Sequence, residues 1–131
     1  MISNPKYGWC NFNLETFHGN PSHLTDVPVD LLNAFIQYHA TGTGIAWFDE
    51  EGATFTLVLT PCSPFVIEEK DKPILHDFSD IEIEALEKEL IGDIERDLIG
   101  WSEFTTSDDR EEVIVHRDEI RNKIAMLKGL K

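Results

Sequence analysis

Between residues 44 and 78 four short apolar runs are separated by polar turn residues, and the second run alternates. In TFTLVLT, Phe55, Leu57 and Leu59 fall on one side while Thr54, Thr56, Val58 and Thr60 fall on the other. That period of two marks a strand with one face buried. The preceding run, GIAWFD, is separated from it by Asp49-Glu50-Glu51-Gly52. This spacing predicts a hairpin closed by a type I turn with Gly52 in the left-handed region. FVIEEK at 65–70 and KPILHDF at 72–78 follow, joined through Lys70-Asp71-Lys72, and the order predicts an antiparallel meander. Nearer the start, YGWCNFNLETF (7–17) alternates through Tyr7 and Trp9, then Phe12 and Leu14. The alternation slips once near Cys10 and Asn11, which predicts a strand with a bulge.

Other segments carry the helical period. Asp26 before Val27-Pro28 suits a helix start, and Leu31, Leu32, Phe35, Ile36 and His39 continue it to about Ala40, with Gly42 and Gly44 as the stop. HGNPSHLTDVP ahead of it (18–28) has turn chemistry. Ser79 and Glu82 have the spacing of a capping box for a second helix. Its apolar stripe is Ile83, Leu86, Leu90, Ile94 and Leu98, with Glu87 and Asp97 inside or at the edge of that stripe and a bend expected near Gly92. Residues 101–109 read as loop. The β-branched run at 110–116 predicts a short strand, with a helix as the alternative. Asp118 then caps a last helix with Ile120, Ile124 and Leu127 on one face and Gly129 at its end. The sum is an α+β fold, residues 1–131 as a single domain, in which an antiparallel sheet of about five strands is packed by two or three helices on one face.

Composition adds a bias. The chain has 131 residues, 41% of them apolar, three Trp and eight Phe, so it can build a core without staples. No run of about 18 apolar residues predicts a transmembrane helix. The start, MISNPKYGWC, lacks a signal-peptide pattern. Cys10 and Cys62 fit no C-x-x-C pattern and are expected to be reduced, buried thiols in a cytoplasmic protein. The net charge is −14 from 25 acids and 11 basic residues. Such acidity argues against direct nucleic-acid contact and against an anionic membrane surface, both of which require Lys and Arg. The charge is also segregated. Residues 80–112 hold thirteen acids against three basic residues, while the last nineteen residues hold five basic residues against two acids. A solubility charge needs no such block, whereas a concentrated negative patch steers a basic partner.

YGWCNF, FHGNPSHLTDVPVDLLNAF, WFDEEG and the acidic ELIGDIE together resemble the small cytoplasmic immunity proteins of bacterial toxin–immunity systems, including contact-dependent growth inhibition. The resemblance is one of size, acidity and sequence texture over most of the chain, with no signature motif. It implies a non-catalytic protein that binds and neutralises one cognate toxin, often a nuclease. Such proteins differ in fold and binding site, so the resemblance assigns no residue. The partner-binding candidates come from the charge block: Glu89, Asp93, Glu95, Asp97, Glu103, Asp108 and Asp109. Their expected role is steering, plus charge-assisted hydrogen bonds to Lys and Arg of a basic toxin domain.

Other chemistry is sparser. His18 and His23, with Asp26 nearby, could supply nitrogen and carboxylate ligands to zinc, and Cys10 with a histidine could form a nucleophile–base pair. A metal-dependent or thiol enzyme built on the 18–26 loop is therefore the alternative function, and a nucleic-acid-mimicking inhibitor is another. The hairpin acids Asp49, Glu50 and Glu51 suit a solvated turn or a second acidic site. Trp101 continues the apolar stripe and is expected to close the core. The chain has no P-loop, G-x-G-x-x-G, G-x-S-x-G or H-E-x-x-H motif, and no cofactor is expected.

Overall fold

A computed structural model describes residues 1–130; Lys131, one of the five basic residues of the C-terminal stretch, lies outside them. The fold is α+β, but the strands form two antiparallel sheets where the sequence predicts one. The first sheet has three strands in chain order, β1 (Ile2–Lys6), β2 (Trp9–Leu14) and β3 (Phe17–Gly19). The second has four, β4 (Gly44–Asp49), β5 (Thr54–Leu59), β6 (Phe65–Glu69) and β7 (Pro73–Asp77).

The second sheet is the predicted meander, with its Thr/Leu alternation as read: Phe55, Leu57 and Leu59 are buried. At the β4–β5 turn Glu51, not Gly52, takes the left-handed conformation (φ 57°), and Gly52 has φ 150°. In the first sheet the slip near Cys10 is not a bulge. Tyr7 and Gly8 have φ of 56° and 77° and form the β1–β2 turn. Tyr7 and Trp9 are therefore exposed, and Cys10, Phe12 and Leu14 alternate inward without interruption. The irregularity lies in β1, between Ser3 and Lys6, where Asn4 has φ 54°.

Helix α1 (Val27–Thr41) ends as expected, with Gly42 at φ 84° and its N–H on the Tyr38 carbonyl. Gly44 opens β4 directly under this helix. A Cβ there would lie 1.9 Å from the Ala34 carbonyl oxygen, so only glycine lets helix and strand approach this closely. Helix α2 (Ile83–Arg96) starts later than the Ser79 box predicts. Ser79 lies in a turn where Ile81 N–H donates to the Phe78 carbonyl, and Glu82 occupies the cap position in extended backbone. The break falls at Asp97, not Gly92, and a short helix α3 (Leu98–Ser102) follows, whose end at Trp101 and Ser102 lies where loop is predicted.

The predicted strand at 110–116 is the first part of helix α4 (Arg110–Gly129), and Asp109, not Asp118, caps it by accepting from the N–H groups of Glu111 and Glu112. Its buried positions, Val113, His116, Ile120, Ile124 and Leu127, have helical spacing. Tertiary packing of that stripe outweighs the β preference of Val113, Ile114 and Val115.

Phe12 joins the two sheets. Its ring centroid lies 4.9 Å from that of Phe55, 5.9 Å from Phe48 and 6.0 Å from Phe17. α4 packs against α1 and α3, and α2 packs on β1. Trp101 is fully buried against Phe104, in the core position that the stripe implies. No described helix is long and apolar enough to cross a membrane.

Candidate functional site

The acidic block is divided among several elements, and most of its candidate carboxylates have structural partners. The N-terminal ammonium of Met1 donates to Glu89 Oε1 at 3.0 Å and to Asp93 Oδ2 at 2.7 Å. Asp93 Oδ2 also accepts from Ile2 N–H, and its Oδ1 accepts from Arg96 at 2.9 Å. Burial alone would raise the Asp93 pKa. The hydrogen bonds from the ammonium, Arg96 and Ile2 outweigh it and hold the carboxyl below its ordinary value. Glu95 meets Lys128 of α4 at 3.2 Å, an exposed pair that can exchange partners at little cost. Asp97 accepts from Gly100 N–H and Asp109 caps α4.

Glu103 and Asp108 differ from these five. Both are exposed, and their side chains make no hydrogen bond or ion pair among the described residues. They border one cleft of about 510 Å³, together with Lys6, Tyr7 and His23. Asp80, Glu82, Glu84, Glu111 and Glu112 are exposed too, with side chains that make no bond among the described residues. The first-turn positions of Glu84, Glu111 and Glu112 are favoured by the helix dipole. Asp80 and Glu82 precede the first turn of α2 and Glu84 lies within it.

Those three acids have a further setting. Asp80, Glu82 and Glu84 line a larger cleft of about 870 Å³ between the end of α1, the β5–β6 loop and the start of α2. Within it Glu87, buried inside the apolar stripe as the wheel indicates, accepts from His39 Nε2 at 2.6 Å. Tyr38, Ile81 and Ile83 provide its apolar walls. A cleft with apolar walls and several carboxylates can take the stem and head of a Lys or Arg side chain. Cys62 also lines it and is exposed, which corrects the expectation of two buried thiols. Cys10 is the buried one. Burial pushes its thiol up to about 12, and Sγ donates to the Pro21 carbonyl at 3.6 Å. The two cysteines are not bonded to each other.

The 18–26 loop does not assemble a site. His18 bonds Asn13 Oδ1 at 2.6 Å, His23 packs against Gly8, and Asp26 turns to His116 of α4 at 2.8 Å. Among the described residues no group of three or more His, Cys, Asp or Glu is placed to hold a metal. Asp26 does stand at the α1 cap position, but its side chain makes no cap bond. His116 Nδ1 faces the Ser102 carbonyl at 2.9 Å while Nε2 faces Asp26, so both ring nitrogens have acceptors. The Asp26 hydrogen bond, chiefly, raises the His116 pKa against its burial, helped by Ser102 and Glu119. Asp30 stands close by. Burial, followed by repulsion from Asp26 and Glu119, raises its carboxyl to about 6. Sequence reasoning missed this cluster because its members lie on α1, α3 and α4, far apart along the chain.

Compared with known protein families, characterised proteins and solved structures, the chain matches none.

Proposed function

We propose that this protein is an immunity-type inhibitor. In this reading it binds a cognate basic toxin domain, a nuclease in the leading form, and occludes its active site or substrate-binding surface without making or breaking any bond. It acts in the cytoplasm and uses no cofactor. The observation that carries the reading is the set of seven exposed carboxylates, Asp80, Glu82, Glu84, Glu103, Asp108, Glu111 and Glu112, that make no side-chain bond among the described residues. Held on one chain of net charge −14, they create a field that accelerates docking of a cationic surface.

Of the original candidates, Glu103 and Asp108 fit this role directly. Glu89 and Glu95 are about half exposed and could be shared with a partner, whereas Asp93, Asp97 and Asp109 already serve the fold. The enzyme alternative has less support, because His18, His23 and Asp26 point to different partners.

The test uses the purified product of the reading frame that adjoins this gene. Its association rate should fall at least tenfold between low and high salt, since exposed charges are screened beyond about 8 Å at physiological ionic strength. A salt-independent rate refutes the reading. So does the absence of a complex at micromolar concentration.

A further inference from the structure

The second sheet has an inner face that builds the core and an outer face that no helix covers. Residues paired across antiparallel strands point to the same side, so the register defines the outer face row by row. One row is Trp47, Thr56, Ile67 and Leu75; the next is Ile45, Val58, Phe65 and Asp77; the third is Asp49, Thr54, Glu69 and Pro73. Two adjacent rows are thus mostly apolar. Ile45, Trp47 and Leu75 are 55%, 49% and 64% exposed.

Acids border this centre at one end and at the opposite corner. Asp49 and Glu69 lie in the third row, Asp77 ends the second, and Glu50, Glu51 and Asp71 sit in the turns at the third-row end. Lys70 and Lys72 are the basic residues of those turns.

From this arrangement we infer that the outer face of the four-stranded sheet is the docking surface, and that its occupant is a protein domain with an apolar centre bordered by Lys and Arg. This rests on the proposed inhibitor function and assigns its contact surface. An apolar core with a polar rim is the anatomy of a specific interface, and an exposed Trp is the residue type most often found to dominate binding energy. Strands about 4.8 Å apart and side-chain rows about 7 Å apart give this face roughly 400 Å². That is about half of the 800 Å² that a standard interface buries on each partner. The face therefore forms the centre of a contact whose rim the bordering acids complete.

Charge selects the occupant. A second copy would bring an identical acidic rim and another net charge of −14 against the first, whereas a basic partner meets opposite charge. The helical carboxylates then act at long range, on the approach, and the sheet face acts at contact.

Trp47→Lys and Leu75→Lys, each with unchanged circular dichroism and melting temperature, test the assignment against the adjoining gene product. Both should raise the dissociation rate at least tenfold, with Trp47→Phe restoring most of the binding. Glu103→Lys/Asp108→Lys should instead slow association and leave dissociation nearly unchanged. A complex that both sheet variants bind as well as wild type overturns this inference and leaves the inhibitor reading standing. No complex with the wild-type chain overturns both. A free chain that is a dimer, split by Trp47→Lys, gives the face to a second copy and overturns the charge argument.

Discussion

His116 offers the sharpest physical test. A neutral imidazole has one N–H, yet Nδ1 and Nε2 both face acceptors, the Ser102 carbonyl at 2.9 Å and the Asp26 carboxylate at 2.8 Å. Only the imidazolium donates to both. Replacing His116 with Leu removes two charge-assisted bonds, and it leaves the largely buried Asp26 unpaired. Hydrogen bonds involving charged groups contribute about 1.5–3 kcal/mol each, so the loss at pH 6 should be about 3–6 kcal/mol. Against a total of roughly 5–15 kcal/mol this is easily measured. Urea unfolding, followed by the fluorescence of buried Trp101, is the assay.

The pH dependence has a defined sign. The folded pKa of His116 is raised, so its contribution is complete below the unfolded value of about 6.5 and disappears as pH rises through the folded value. The gap between wild type and His116→Leu should therefore shrink from pH 6 to pH 9. Asp30 is also raised, to about 6. Its contribution is complete below about 3.9 and lost by about pH 7, and carrying Asp30→Asn in both chains removes that overlap. A stability gap that stays constant from pH 6 to 9, or a nuclear magnetic resonance titration showing His116 neutral at pH 6, would refute the reasoning.

Three further outcomes are expected. Asp93→Asn should destabilise the fold by about 1–3 kcal/mol in urea unfolding, because the N-terminal ammonium, Ile2 N–H and Arg96 lose a charged acceptor, while Glu103→Gln should stay within about 0.5 kcal/mol. Equal effects would contradict the distinction between structural and free carboxylates. Phe12→Ala should cost about 3–5 kcal/mol, since that ring is fully buried between two sheets, and a loss under about 1.5 kcal/mol would mean that the sheets do not depend on it. In the native state a thiol reagent at pH 8 should label Cys62 quickly and Cys10 only on unfolding, as followed by mass spectrometry; rapid labelling of both would contradict the burial of Cys10.

How much the sequence disclosed depended on whether the signal was local. The meander from Gly44 to Asp77 was legible because its apolar runs are short, TFTLVL alternates and the connections between runs carry turn residues. Helix α1 was legible from its Pro start and Gly stop. β1 was not, because ISNPK has an Asn in left-handed backbone and a Pro, both poor strand formers. The start of α4 was misread from three consecutive β-branched residues, although the Asp109 cap and the spacing of Val113, His116 and Ile120 carried the helical signal. The candidate carboxylates were legible as a block, but their division was not. Which acid meets the amino terminus, which caps a helix and which remains free depends on contacts across many residues. The outer sheet face could have been anticipated, since Trp47, Val58, Ile67 and Leu75 occupy positions that a one-sided sheet would make polar.

The first strand is anchored by a residue made long after it. Ile2 N–H is held by the Asp93 carboxylate, 91 positions later, and beyond nearby Phe17 the ring partners of Phe12 are Phe48 and Phe55 of the second sheet. At roughly 5–20 residues per second on the ribosome, β1 waits roughly 5–20 s for α2 to be synthesised. During that interval the Ile2 N–H lacks its carboxylate acceptor and β1 lacks the helix that packs on it, so the native setting of the first strand closes only after α2 has emerged.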